Sequence, residues 1–204
     1  MATDVVSAEG VPESLRREAN RRRALAAMTQ VVGEQGYPET TVRDVLERAK
    51  MSRRTFYELF DNREECFLAA YELACGEAFA CLDGAQEPPE PFPEHLNRVL
   101  TRFLEQLADR PDFARLLLVE ATAIGPSGVE LHEQTMRRLA ERLAESLPNG
   151  KQGLAPDEVR LRCEASVGAI HRVLLARIVE GRSRDLPELA DELVPLVRAL
   201  AAAG

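Results

Sequence analysis

Five side chains in one short stretch have no apolar task and share a chemistry. Arg43, Arg53, Arg54, Thr55 and Tyr57 fall within Thr41–Phe60, TVRDVLERAKMSRRTFYELF. Guanidinium and hydroxyl groups at that density suit phosphate oxygens and the edges of bases. The residues between them say how they would be held. Val45, Leu46 and Ala49 give one helix an apolar face, and Phe56, Leu59 and Phe60 give another. Lys50-Met51-Ser52 is too short to be anything but a corner. Thr41 can cap the first helix with Asp44 answering it, and Ser52 can cap the second. Two capped helices with phosphate-seeking groups at their N-terminal ends describe a helix-turn-helix DNA reader.

The elements that position this corner follow from the rest of the chain, which predicts an all-α protein with no β pattern and no internal repeat. Residues 1–12 read as a disordered leader. Helix 1 is expected from Ser14 to Gln35, stopping at Gly36. Its Leu25, Met28 and Val32 form one apolar face, while Arg16, Arg17, Arg21, Arg22 and Arg23 make its start a basic approach to a DNA backbone. Tyr37 would plug the small core. A further helix begins at the Asn62/Glu65 capping pattern and runs to about Leu82, tying the head to a body. Arg63 sits in its first turn, where a cation and backbone N–H groups can hold a phosphate. The expected organisation is a DNA-binding head over residues 13–62 and a helical regulatory and dimerisation body over 63–204.

Within the body, Pro88–Pro93 reads as a linker. Helices are then expected over roughly His95–Ala108, Pro111–Thr122, Ser127–Leu147 and Pro156–Glu180, with a break at Pro148-Asn149-Gly150. A last helix begins at Asp185 with Glu188 as its capping partner, bent by Pro195. Its Leu186, Leu189, Leu193, Leu196 and Leu200 are spaced as a heptad seam.

Bulk properties narrow the function. The 204 residues carry a net charge of −8, with 45% hydrophobic and 29% charged residues. Residues 13–65 hold 11 basic and 10 acidic groups, whereas residues 66–204 hold 15 and 22. The acidity therefore lies away from the arginine-bearing corner. No apolar run approaches the ~20 residues of a membrane span. The first dozen residues lack a signal peptide's pattern, so a cytoplasmic protein is expected. Cys66, Cys75, Cys81 and Cys163 show no metal-ligand spacing and read as buried reduced thiols. No nucleophile–base order, metal set or phosphate loop is present, which argues against an enzyme and against any cofactor. The competing class is a helical adaptor, which would use the leucine seam and leave the arginines idle.

With Gly36-Tyr37 before it and Asn62-Arg63-Glu64-Glu65 after it, the Thr41–Phe60 stretch resembles the DNA-binding head of the tetracycline-repressor (TetR) family of bacterial regulators. The likeness covers roughly residues 15–70. Lys50 stands where that family often has Gly, Leu59 where it often has His, and Asp61 where it often has Lys or Gly. The resemblance implies a homodimer on a double-stranded DNA operator, with a body that binds a small-molecule inducer. Carried over by position, Thr41 and Arg43 would approach the backbone or a base edge. Ser52, Arg53, Arg54 and Thr55 would enter the major groove, and Tyr57 and Arg63 would hold phosphates. Dimerisation through the last two helices would fall to Ile170, Leu174, Leu186, Leu189, Leu193, Leu196 and Leu200. A ligand cavity would lie in the body, where His132 and His171 are either polar contacts or satisfied structural residues. Arg172 and Arg177 can meet an anionic ligand or a dimer surface equally well. The inducer is not named by the sequence.

Overall fold

The computed structural model describes residues 12–82, 91–147 and 155–201. The expected leader up to residue 11, linker residues 88–90 and the break at 148–150 lie outside the described residues. Every element that is described is helical.

The first helix, α1 (Glu13–Gln35), ends because Gly36 turns to φ 82° and returns its N–H to the Val32 carbonyl at 2.8 Å. Helices α2 (Val42–Ala49) and α3 (Arg53–Tyr57) make the corner. The Thr41 hydroxyl accepts the Asp44 N–H at 3.3 Å, and the Asp44 carboxylate accepts the Thr41 N–H at 2.8 Å. This is the reciprocal capping box, and the Thr41 bonds hold the Asp44 carboxyl below the usual carboxylate range. Ser52 caps α3 by accepting the Thr55 N–H at 3.0 Å. Between the two, Lys50 sits in the left-handed region at φ 50°, a conformation that favours glycine. The next helix, α4 (Arg63–Leu82), starts with the Glu65 N–H on the Asn62 side chain at 2.9 Å. The Glu65 carboxylate reaches the Asp61 N–H rather than that of Asn62, so the expected box closes one residue early.

In the body, α5 begins at Phe92 and runs to Asp109, which takes Phe92 and Pro93 out of the expected linker. Pro is tolerated there because first-turn N–H groups have no helical partner. The helix expected over Pro111–Thr122 is three pieces. After α6 (Pro111–Arg115) the chain widens into a π-helical turn, Leu116–Glu120, then tightens into a 3-10 turn, Ala121–Ile124. Helices α7 (Pro126–Ser146) and α8 (Pro156–Val179) pack on one another. The last helix differs most from expectation. Residues Ser183–Leu189 form a 3-10 segment, and α9 covers only Ala190–Ala201. Pro187 explains the delay, since it lacks an N–H and pushes Leu186 away from α geometry. Glu188 therefore caps nothing at an Asp185 start.

One apolar core runs through head and body alike, with Phe56, Phe67, Tyr71, Leu104, Phe113 and Leu186 all within it. It crosses the expected boundary at residues 62 and 63. Helix α1 abuts α6 so closely that a Cβ on Gly33 would lie 2.5 Å from the Asp112 Cα. The leucine seam also belongs to this core. Leu174, Leu186, Leu189 and Leu193 are buried within the chain, against α5 and α8, so they cannot form the expected dimer interface. Heptad spacing reports an apolar face but not which partner covers it. Ile170 is half-buried, Leu196 is 37% exposed, and the Leu200 side chain lies outside the described residues.

Candidate functional site

The corner presents two opposite faces. Phe56 and Phe60 are buried with ring centroids 5.5 Å apart, and they fix α3 against the core. Arg53, Arg54 and Tyr57 point the other way and are exposed. The Arg53 guanidinium lies 5.9 Å from the centre of the Tyr57 ring. Arg54 pairs with Glu58 at 2.8 Å, and Arg43 on α2 pairs with Glu47 at 2.7 Å. Both are solvated pairs one helical turn apart, which hold little energy and exchange readily for a phosphate. The hydroxyls have local tasks as well. Thr41 and Ser52 hold the two caps, and Thr55 shares a hydrogen bond with Ser52 at 2.9 Å.

The basic start of α1 leans toward this corner. An Arg17 Nη donates to the Glu58 carbonyl at 3.5 Å, and Arg21 lies 5.1 Å from the Phe60 ring centre. Arg63 departs from its expected role. Its guanidinium donates to the Tyr37 carbonyl at 3.3 Å and to the Thr40 carbonyl, and it stacks 4.2 Å from the Tyr37 ring. A half-buried arginine committed to two carbonyls and a ring closes the α1–α2 loop from inside, so its phosphate role is withdrawn.

That same loop is gripped from the body. Glu120, at the end of the π-helical turn, is buried, with a relative exposure of 4%. Its carboxylate accepts the Tyr37 N–H at 2.9 Å and the Arg115 Nε–H at 2.8 Å. Sequence reasoning missed Glu120, although a lone carboxylate in the apolar run LLLVEATAI was a signal that could have marked it.

Behind the turn lies a cavity of about 660 Å³, framed by α4, α5, α7 and α8. Most of its wall is apolar, including Phe79, Leu96, Val99, Leu117 and Leu139. At one end Tyr71, Cys75, Thr135 and His171 gather. The Tyr71 hydroxyl lies 3.3 Å from His132 Nδ1, and the Cys75 thiol lies 3.5 Å from the Thr135 hydroxyl. The rings of His132 and His171 are 4.8 Å apart. Burial pushes both imidazoles below the usual histidine value and pushes the Tyr71 hydroxyl up, which favours the neutral form of each. Thus His132 is hydrogen-bonded, while the Nε2 of His171 is buried with no hydrogen-bond partner. Arg142 lines the opposite part of the wall beside Phe79, whereas Arg172 is not among the lining residues and Arg177 leans toward Glu180 at 3.6 Å.

The four cysteines are thiols and none is in a disulfide. Burial pushes Cys66 up to about 12 and raises Cys75 and Cys81, which keeps them protonated and unreactive. Among the described residues, no group of three or more His, Cys, Asp and Glu side chains could hold a metal ion. None of the described helices is long and apolar enough to cross a membrane.

Residues 24–70 match the family described as bacterial regulatory proteins, tetR family. Residues 91–200 match the tetracyclin repressor-like C-terminal domain. An uncharacterized HTH-type transcriptional regulator of Bacillus subtilis (strain 168), YhgD, is 35% identical over 81 residues. That match spans 40% of this chain and 42% of the length of YhgD. Among solved structures, the fatty acid degradation regulator FadR from Bacillus halodurans superposes with a TM-score of 0.73 at 19% identity, over 93% of this chain and 96% of its own. FadR from Bacillus subtilis, in complex with stearoyl-CoA, gives 0.73 at 17%, over 86% and 96%. A TetR-like regulator from Rhodococcus sp. RHA1 gives 0.71 at 23%, over 96% and 100%. At these identities the superpositions speak for the fold. The exposed arginine-bearing corner, the helical body behind it and the two family matches together place this chain in the tetR family of bacterial DNA-binding transcriptional regulators, which are not enzymes.

Proposed function

We propose that the protein is a homodimeric repressor that leaves a palindromic operator when a small molecule enters the body cavity. The observation that carries this reading is the two-faced α3. Phe56 and Phe60 lock its back, and Arg53, Arg54 and Tyr57 stand exposed in front. Arg53 and Arg54 would read base edges, while Arg43, Tyr57 and the caps at Thr41 and Ser52 would meet the backbone. Two such helices would enter successive major grooves roughly 34–36 Å apart. Such a protein works where the chromosome is, in the cytoplasm.

The dimer contact would be the outward face of α8 rather than the leucine seam. Leu161, Ala165, Gly168, Arg172, Leu175 and Val179 recur every three or four residues. Leu161 and Val179 are each 65% exposed, which is costly for a monomer. Leu196 on α9 is exposed as well and would extend that patch.

Release would run through the π-helical turn. Leu117 and Leu118 line the cavity, and Glu120 two residues on holds the Tyr37 N–H of the head. A ligand that shifts the turn shifts the head with it, a population change driven by unequal affinity for the two arrangements. The B. subtilis FadR neighbour, solved in complex with stearoyl-CoA, supports this reading by its shared fold.

The test is fluorescence anisotropy of a labelled palindrome taken from the upstream region of the protein's own gene. Binding should saturate at two chains per duplex and fall steeply between low and moderate salt. Binding that ignores salt, or that is equal on a scrambled duplex, sinks the reading.

A further inference from the structure

We propose that the cavity takes an elongated amphiphile with an anionic head, a long-chain carboxylate, and that Arg138 and Arg142 hold the head beside Phe79. The proposal rests on the reading of the cavity as the regulatory site and names the chemistry of its ligand.

Three observations combine. The first is length. Helices α4 and α7 run alongside each other in the same direction, since Tyr71 meets His132, Cys75 meets Thr135, and Phe79 meets Arg138 and Arg142. Each lends the cavity one stripe: Tyr71, Cys75, Phe79 and Leu82 from α4, and Thr135, Leu139, Arg142 and Ser146 from α7. Either stripe covers about 16 Å of helix axis. A volume of about 660 Å³ drawn out over that length suits a chain rather than a compact molecule. The second is the order of side chains along it. The α7 stripe passes from the buried Thr135 through Leu139 to Arg142, which is half-buried, and Ser146, which is exposed. The α4 stripe is apolar from Ala78 to Leu82. Apolar walls therefore serve a hydrocarbon chain, and the charge stands at the end where a head group keeps part of its water.

The third is the sign of that charge. The Arg138 guanidinium lies 4.5 Å from the centre of the Phe79 ring and that of Arg142 lies 4.8 Å from it, so two cations attend one ring of the cavity wall. The ring face fixes where both guanidinium groups rest. Among the described residues of the lining, Glu145 is the carboxylate, exposed and three residues beyond Arg142. The balance of these three groups is positive. Paired guanidinium groups take a carboxylate through charge-assisted hydrogen bonds. Ion pairs with neighbouring side chains at a solvated site are weak and give way to it. A quaternary ammonium head would meet two like charges there, and a hydroxyl head would leave both unanswered.

The experiment uses the full chain and three probes of equal chain length below their micellar concentrations: dodecanoate, dodecanol and dodecyltrimethylammonium. Thermal unfolding followed by circular dichroism reports binding as a concentration-dependent rise in midpoint. Dodecanoate, at a pH where it is ionised, should act at about tenfold lower concentration than dodecanol. The ammonium should be weakest. In the double variant Arg138→Gln, Arg142→Gln the advantage of dodecanoate over dodecanol should vanish while dodecanol acts as before. Arg138→Lys with Arg142→Lys should keep part of it. Arg138→Gln alone changes an exposed side chain, so it keeps the test open if the double variant does not fold, and it should lose about threefold of the advantage. Dodecanol or the ammonium matching dodecanoate in the wild-type chain overturns the inference and leaves the cavity as a ligand site of other chemistry. An advantage that survives in the double variant overturns the role of the two arginines. If none of the three raises the midpoint, the inference falls, and the anisotropy test of operator binding shows separately whether the repressor reading falls with it.

Discussion

The head and the body solve opposite problems with the same secondary structure. The head keeps its chemistry outside. The Arg54 side chain is 89% exposed, and it pairs with a glutamate one turn away. The body keeps its chemistry inside, where Tyr71, Cys75, Thr135 and His171 face an apolar cavity. An exposed guanidinium costs little to maintain and waits for a phosphate. A buried imidazole must be neutral and must find a partner. The contrast teaches that the head holds its charged groups in solvent and the body holds neutral polar groups out of it, with the buried Glu120 joining the two across the Tyr37 loop.

Breaking that join should have the largest effect. Glu120→Ala leaves the Tyr37 N–H and the Arg115 guanidinium without their acceptor, and about 3 kcal/mol of stability should go with it. Chemical denaturation should show this, and the ligand's effect on operator affinity should shrink in proportion. Retention of full stability and full ligand response would separate the two regions. Next comes the exposed chemistry of the head. Arg53→Ala and Arg54→Ala should each weaken operator binding by about 2 kcal/mol and relax base preference, with no change in unfolding midpoint.

Arg63→Ala sharpens the line between outside and inside. Because its guanidinium holds the Tyr37 and Thr40 carbonyls, the substitution should cost about 1.5 kcal/mol of stability. The salt dependence of DNA binding should keep its slope, which a lost phosphate contact would reduce. Lys50→Gly should act in the other direction, raising stability by about 1 kcal/mol because glycine adopts φ 50° without strain.

The smallest effect should be the pH dependence of the body. His132 and His171 have folded values below the ordinary 6.5, so the unfolded chain binds more protons in that window. Their contribution is complete above 6.5 and is lost as pH falls below it toward the depressed folded values. Denaturation curves should therefore show a loss of stability over that acid range, lessened in His171→Phe. A stability that rises as pH falls there would contradict the buried neutral imidazoles.

The two regions were also unequally legible. The corner could be read because everything that makes it is local. Thr41 with Asp44, Ser52 with Thr55, and Gly36 after Gln35 bond across one to four residues, so spacing alone states the geometry. Arg63 escaped that logic because its partners lie 23 and 26 residues away on the α1–α2 loop. The leucine seam was misassigned for a related reason. Periodicity shows that one face of a helix is apolar, but Leu186, Leu189 and Leu193 could equally face a second chain or their own core.

The sequence by itself determined an all-helical fold class, a helix-turn-helix corner with outward arginines, and an acidic body with no apolar run of membrane-spanning length. Hydrophobic periodicity, capping and composition are properties of neighbours along the chain, and they need no third dimension. Only the tertiary structure decided that Glu120 holds the head, that the leucine seam is internal, and that the His171 Nε2 is buried without a hydrogen-bond partner. Each of these depends on residues far apart in sequence meeting in a close-packed interior, where which partner is reached is settled by the whole arrangement of helices.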